Sequence, residues 1–177
     1  FGRGQGTAHL FLSHTHWDHI QGFPFFTPAY VPGNVIRIYG AHPRLRERLA
    51  EQQRAEFFPV PLEGLRATLQ FEQLAEGQTV NLGDVQVRHL RLPHPGGSFA
   101  YRLESNDATL VYATDGEYRH LFEAGDAEYP HLYNLDIQAY VDFFRGADVL
   151  IFDAMFALQE SIETTAWGHS TALIGVA

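Results

Sequence analysis

Six consecutive residues, His14-Thr15-His16-Trp17-Asp18-His19, carry four side chains able to bind a metal ion. With this composition a His-x-His-x-Asp-His run arises by chance in roughly one or two of a thousand such sequences, so accidental clustering in a polar loop is a poor account of it. Along an extended or turning backbone His14 and His16 can point to one side. Asp18 and His19 are reached after a turn and need not aim at the same point, which favours two adjacent ions over one. A bridged pair roughly 3.5–4 Å apart lowers the pKa of a shared water, polarises a phosphoryl or carbonyl oxygen and stabilises a leaving oxygen.

Such a centre needs more ligands than this run supplies. His94, in Leu92-Pro93-His94-Pro95, and Asp115, in Thr114-Asp115-Gly116, each follow a strand-like segment and are the natural additions. The chain has no Cys, which excludes disulfides, thiolate metal sites and thiol nucleophiles and leaves an N/O-only ligand set. Zinc, manganese and iron all suit such ligands. All twelve basic residues are Arg, which excludes a Schiff-base lysine and a P-loop lysine. The net charge of −9 opposes general binding to a nucleic-acid backbone. Two divalent ions would add positive charge where a small anionic ester binds, so acidity does not exclude phosphate esters.

The elements that must position these residues follow from the hydrophobic pattern. Ala8 to Leu12 reads as a buried strand delivering the His-rich run to a loop at its C-terminal end, where chemistry sits in α/β folds. Residues 35–39 are a second strand and Leu45 to Gln53 a charged helix, on which Arg44, Arg46 and Arg48 mark a solvated face. Pro59 and Pro61 interrupt residues 57–65, a surface excursion that could serve as a lid. Runs at 69–74, 79–82, 85–92, 99–104 and 109–113 are separated by turn residues and predict an antiparallel sheet. Apolar residues at 137, 140, 141 and 144 share a helix face, residues 149–152 predict one more buried strand, and Ser170 is a candidate N-cap. Phe23, Phe25, Phe26 and Tyr30 are dense enough to be core. His9, His42, His89, His120 and His131 lack spacing partners and read as surface or structural residues. At 177 residues, with no run of eighteen apolar residues and no signal-peptide pattern, we expect a single domain in a soluble, cytoplasmic protein.

The ordered set His14, His16, Asp18, His19, His94 and Asp115 resembles the metal motifs of the metallo-β-lactamase superfamily. The resemblance covers nearly the whole chain and implies an α/β fold, the αββα sandwich. It implies that His14, His16 and His94 hold the first metal, Asp18 and His19 the second, and that Asp115 bridges two divalent ions, zinc first. Histidine at position 16, where flavo-diiron proteins carry Glu, favours hydrolysis over redox chemistry. Asp153-Ala154-Met155-Phe156 and Gly168-His169-Ser170-Thr171 are similar to segments of the phosphodiesterase branch, which includes ribonuclease Z and small cyclic-phosphate phosphodiesterases. In that branch the residue matching His169 protonates the leaving oxygen and the acid matching Asp153 orients it. Asp stands at 153 where Glu is usual, so its reach is the point to check.

The resemblance also implies a strand pair before the His run and a further His ligand beyond residues 168–171. Thirteen residues precede His14 and eight follow His169, so we expect a fragment trimmed at both ends, with an incomplete second-metal site. The expected activity is hydrolysis of a small cyclic nucleotide or cyclic phosphate by a metal-bridging hydroxide, with Asp18 orienting or deprotonating the water. No insertion resembling the tRNA-binding arm of ribonuclease Z is visible, so a nucleic-acid polymer is not the expected partner, nor is a membrane; a homodimer is left open. The alternatives are a thioester, lactone or β-lactam hydrolase on the same metals, and a non-catalytic metal-binding regulatory domain.

Overall fold

The computed structural model describes residues 2–118, 137–164 and 166–176. It falls into two compact units, Phe1–Glu76 and Gly77–Ala177. Among the described residues no helix is long and apolar enough to cross a membrane.

The first unit is built on a three-stranded sheet in the order β1 (Thr7–Phe11), β2 (Val35–Gly40), β3 (Thr68–Gln73), with both pairs parallel. The period-2 pattern of β2 sends Ile36 and Ile38 into the core and Arg37 to solvent. Helix α2 (Leu45–Gln52) adds Leu45 and Leu49, one turn apart, to the same cluster. Burial of each such aliphatic side chain contributes about 1.5–3 kcal/mol. Asn34 is fully buried and ties the strand starts together. Its Oδ1 accepts the Gly6 N–H at 3.0 Å, its Nδ2 donates to Pro28 O at 2.9 Å, and its carbonyl accepts the Thr68 N–H at 2.8 Å.

The expectation for residues 69–74 is corrected here. They form the third parallel strand of this first sheet and take no part in the antiparallel one. Alternation reports which face a strand buries and carries no information about its partner. β1 is half-buried, because it lies at the sheet edge with neighbours on one side. The excursion after α2 is pinned by Leu62 and Leu65, both buried in the core.

The second unit carries a five-stranded sheet in the order β4 (Val80–Leu82), β5 (Val85–Leu92), β6 (Ser98–Glu104), β7 (Thr109–Ala113), β8 (Val149–Phe152). β4 to β7 are antiparallel neighbours and β8 runs parallel to β7. The sequence predicts β8 as buried; instead Val149, Leu150 and Ile151 remain 50%, 36% and 45% exposed, because β8 is the last strand of the sheet. Helix α3 (Ile137–Phe144) packs Tyr140, Phe143 and Phe144 onto Leu92, Ala100, Val111 and Ala113. Val141 is exposed, so the buried face is the 140, 143, 144 stripe and not 140, 141, 144. Two short helices, α4 (Leu158–Glu163) and α5 (Ala172–Val176), follow β8.

Arg102 holds the end of α3. Its Nη1 donates to Phe143 O and Arg145 O, both at 3.0 Å, while its Nε donates to Glu104 Oε1 at 2.9 Å. Arg102→Met is expected to destabilise the protein by about 1–3 kcal/mol, read from urea unfolding, because terminal helix carbonyls lose their donor. The hydrogen bond from Arg102, helped by Arg88, holds the Glu104 carboxyl below its ordinary value. A depressed carboxylate stabilises the fold above the ordinary carboxylate pKa, and that contribution fades as pH falls through the lowered value. In Arg102→Met this loss at acid pH should shrink.

Candidate metal centre

In the first unit, β1 ends at Phe11 and Leu12 N–H still bonds Tyr39 O at 2.9 Å, so the His-rich run leaves from the C-terminal end of a parallel sheet. Ser13, where the chain bends, and His14 are buried; the chain then enters a one-turn helix, α1 (Trp17–Ile20), with His16 at its N-cap position. Ile20 anchors that turn in the core, and Gln52 of α2 donates to its carbonyl at 2.9 Å. Arg48 donates to Thr15 Oγ1 at 2.7 Å, so this arginine fixes the loop and is no part of a merely solvated face. Arg44 and Arg46 do pair with exposed Glu51 and Glu63.

This framework brings His14 Nε2 to 3.1 Å from His16 Nδ1. Two donors on one tetrahedral ion, with bonds of about 2.0–2.1 Å, stand roughly 3.3 Å apart, so the spacing fits a shared cation. The His19 ring lies 4.2 Å from that of His14, centroid to centroid, and His19 Nε2 is 3.3 Å from Asp18 Oδ2. The Asp18 side chain is 71% exposed and His16 is exposed as well, whereas His14 is buried.

In the second unit His94 lies in the β5–β6 connection, where Gly96 and Gly97 adopt positive φ and Gly97 N–H returns to His94 O at 2.9 Å. The Gly-rich turn is thus a hairpin connection. His94 is 7% exposed, and its Nδ1 sits 2.8 Å from Gly168 O. Only a protonated Nδ1 bonds a carbonyl, so in the neutral ring Nε2 is the nitrogen that carries the lone pair, the tautomer a metal-binding imidazole needs. That Nε2 is 3.7 Å from Asp115 Oδ2, too long for a hydrogen bond and close to the separation of two donors on one ion. Asp115 follows β7 and is also buried.

Asp153 follows β8, its N–H bonded to Ala113 O at 3.1 Å. Its carboxylate reaches His169 Nδ1 at 2.9 Å, so the shorter acid spans the gap that the sequence leaves in question. It also accepts the N–H groups of Met155 (3.1 Å) and Ser170 (3.3 Å). The far nitrogen of His169, Nε2, stands 4.0 Å from Asp115 Oδ2, and donor atoms of Asp115, Asp153 and His169 lie within 4.8 Å of one another. The donor set of each unit, all imidazole and carboxylate, fits divalent zinc, manganese or iron.

The roles of two residues of this region have no sequence signal, and for Ser170 the structure replaces the expected helix cap with another role. Glu117 is 3% exposed and accepts the N–H groups of Ala166 (3.0 Å) and Gly168 (2.9 Å). Ser170 does not cap α5: its Oγ donates to Gly116 O at 2.6 Å and accepts the Tyr118 N–H at 3.1 Å, and α5 starts at Ala172. Both look like ordinary turn residues until a segment about fifty positions away in the chain folds over them. Phe23 is core and Phe26 and Tyr30 pack against it, whereas Phe25 is exposed beside Phe58. His9 pairs with Tyr39 at 3.0 Å and His89 packs between Phe99 and Tyr101. His120 and His131 lie outside the described residues.

Imidazoles and carboxylates delivered at strand ends define the class as an α/β protein with a metal-binding loop set. The family description "Beta-lactamase superfamily domain" matches residues 3–176, and the chain belongs to that superfamily. It is 28% identical over 200 aligned residues to a ribonuclease Z of Shouchella clausii (strain KSM-K16), which bears out the resemblance read from the motifs. That alignment takes in 92% of this chain and 61% of the relative, so the chain spans about six tenths of the curated relative's length. Among solved structures it is similar to unliganded yeast PDE1 (16% identity, TM-score 0.67, 96% of this chain and 50% of that one). It is also similar to human tRNase Z, short form (18% identity, TM-score 0.65, 96% and 66%). The expected metallo-β-lactamase α/β fold is borne out.

Proposed function

We propose that this protein is a metal-dependent hydrolase of phosphodiesters, with His14, His16, Asp18, His19, His94 and Asp115 as its metal ligands. By the family pattern Asp115 is shared by two ions, and the single domain expected over residues 1–177 is part of this reading. When bound, the ions activate a water and draw charge from the phosphoryl oxygen. His94 is kept in the ligand tautomer by Gly168 O, and Asp18 orients the water. The observation that carries the reading is the His169–Asp153 pair at 2.9 Å, with His169 Nε2 directed to the neighbourhood of Asp115. Asp153 fixes the ring and stabilises it when protonated, so Nε2 can hand a proton to a departing oxygen. An alkoxide needs that proton to leave; a thiolate, whose acid has a pKa of about 8.5, does not. A dedicated proton donor therefore favours an ester of phosphate over a thioester.

The net charge of −9 favours a small cyclic nucleotide or cyclic phosphate, in a cytoplasmic setting, over a polymer. The likeness to a ribonuclease Z supports RNA as the second substrate class. Elemental analysis with a substrate panel tests both. Two ions per chain and turnover of bis-p-nitrophenyl phosphate and cyclic nucleotides, lost with a chelator and restored by zinc or manganese, are expected. Turnover of thioesters alone would transfer the chain to the rival hydrolase class, cleavage of RNA alone would select the second substrate, and a metal-free, inert protein would leave a regulatory domain.

A further inference from the structure

Glu117 is the most deeply buried carboxylate among the described residues, and neither the ligand set nor the proton-donor pair uses it. A buried carboxylate is costly unless its oxygens are satisfied. Here both are: Oε1 accepts the Ala166 N–H at 3.0 Å and Oε2 the Gly168 N–H at 2.9 Å. To present these groups the backbone takes left-handed conformations, φ +67° at Ala166 and +84° at Gly168. Gly168 then offers its carbonyl to His94 Nδ1 at 2.8 Å, while the N–H of Glu117 itself bonds Pro93 O, next to His94, at 2.7 Å. Both branches that leave Glu117 thus converge on His94 and the residue before it. Position 168 admits only glycine, since a Cβ there would lie 2.3 Å from His94 Nδ1 and 2.4 Å from Pro95 Cδ.

We infer that Glu117 is a positioning residue: through Gly168 it fixes the tautomer and aim of His94, and through the same peptide it sets the place of His169, the next residue. The inference rests on the reading of His94 as a ligand and His169 as the proton donor. A carboxylate is needed because two N–H groups converge on it; glutamine of the same shape offers one acceptor and turns an N–H donor toward the other amide.

The test compares Glu117→Gln with wild type at a temperature where circular dichroism shows both folded. Zinc and cobalt affinity should fall about 10–100-fold, the range for residues that orient a ligand, with kcat on bis-p-nitrophenyl phosphate reduced and KM unchanged. The visible spectrum of the cobalt-loaded protein should shift. Equal affinity, equal kcat and an unchanged cobalt spectrum, with only a lower melting temperature, would make Glu117 a structural residue and overturn the inference. Where the variant fails to fold, hydrogen exchange on wild type decides. Binding and ordering are reciprocal, so the Ala166 and Gly168 amides should gain protection when zinc is added, and identical exchange with and without zinc overturns the inference. His94→Ala is run alongside: full metal binding and turnover there would refute the ligand reading itself, whatever Glu117→Gln does.

Discussion

Asp115→Ala is expected to strip the protein of tightly held metal and to bring turnover down to the background rate, while the metal-free protein keeps its fold. The side chain stands at the end of β7 with Oδ2 facing His94 Nε2 at 3.7 Å and His169 Nε2 at 4.0 Å. Neither distance is a hydrogen bond, and both are close to the separation of two donors on one ion. On the proposed reading, what the substitution would take from the loaded protein is a charged ligand, and with it the capacity of the metal to lower the pKa of a water. Asp115→Asn keeps the shape and one acceptor but not the charge, and is expected to hold metal more weakly than wild type and better than alanine. Elemental analysis of dialysed protein, turnover of bis-p-nitrophenyl phosphate and thermal melting of the chelated forms read the three quantities separately. An alanine variant that carries two ions and turns over normally would take Asp115 out of the centre.

The sequence makes the delivery system of this site legible and leaves its fastening hidden. Spacing allows His14 and His16 to point to one side of an extended or turning backbone, and they meet at 3.1 Å. The turn expected between His16 and Asp18 is the single turn of α1. His94 and Asp115 stand after β5 and β7 because hydrophobic runs ended by Pro or Asp-Gly stop strands there. By contrast, nothing local distinguishes the parallel strand β3 from its antiparallel successors, since direction is settled by which edge of the sheet is open when the chain returns. The roles of Glu117 and Ser170 are hidden for the same reason. Their partners, Gly168 for the acid and Gly116 and Tyr118 for the serine, are brought to them only by long-range folding. The reach of Asp153 was likewise undecidable from its residue type, because the position of β8 compensates for the shorter side chain.

His169→Ala should separate the proton donor from the metal ligands. His169 is held by Asp153 through Nδ1 at 2.9 Å and packs edge-on against Phe156, so its ring is set by contacts that need no metal. The variant is therefore expected to keep its metal content, with kcat on a cyclic nucleotide lowered about 10²–10⁴-fold, the range for a positioned general acid, and KM little changed. The size of the loss should depend on the leaving group. A ribose alkoxide cannot depart without a proton, whereas p-nitrophenolate departs as the anion, so bis-p-nitrophenyl phosphate should show a much smaller defect in the same variant. Asp153→Asn should fall between the two, because the amide can still accept from Nδ1–H but no longer stabilises a protonated ring. Equal losses on both substrates would make His169 a contact for the phosphate and not the donor of the proton, and unchanged kcat on the cyclic nucleotide would remove it from the reaction.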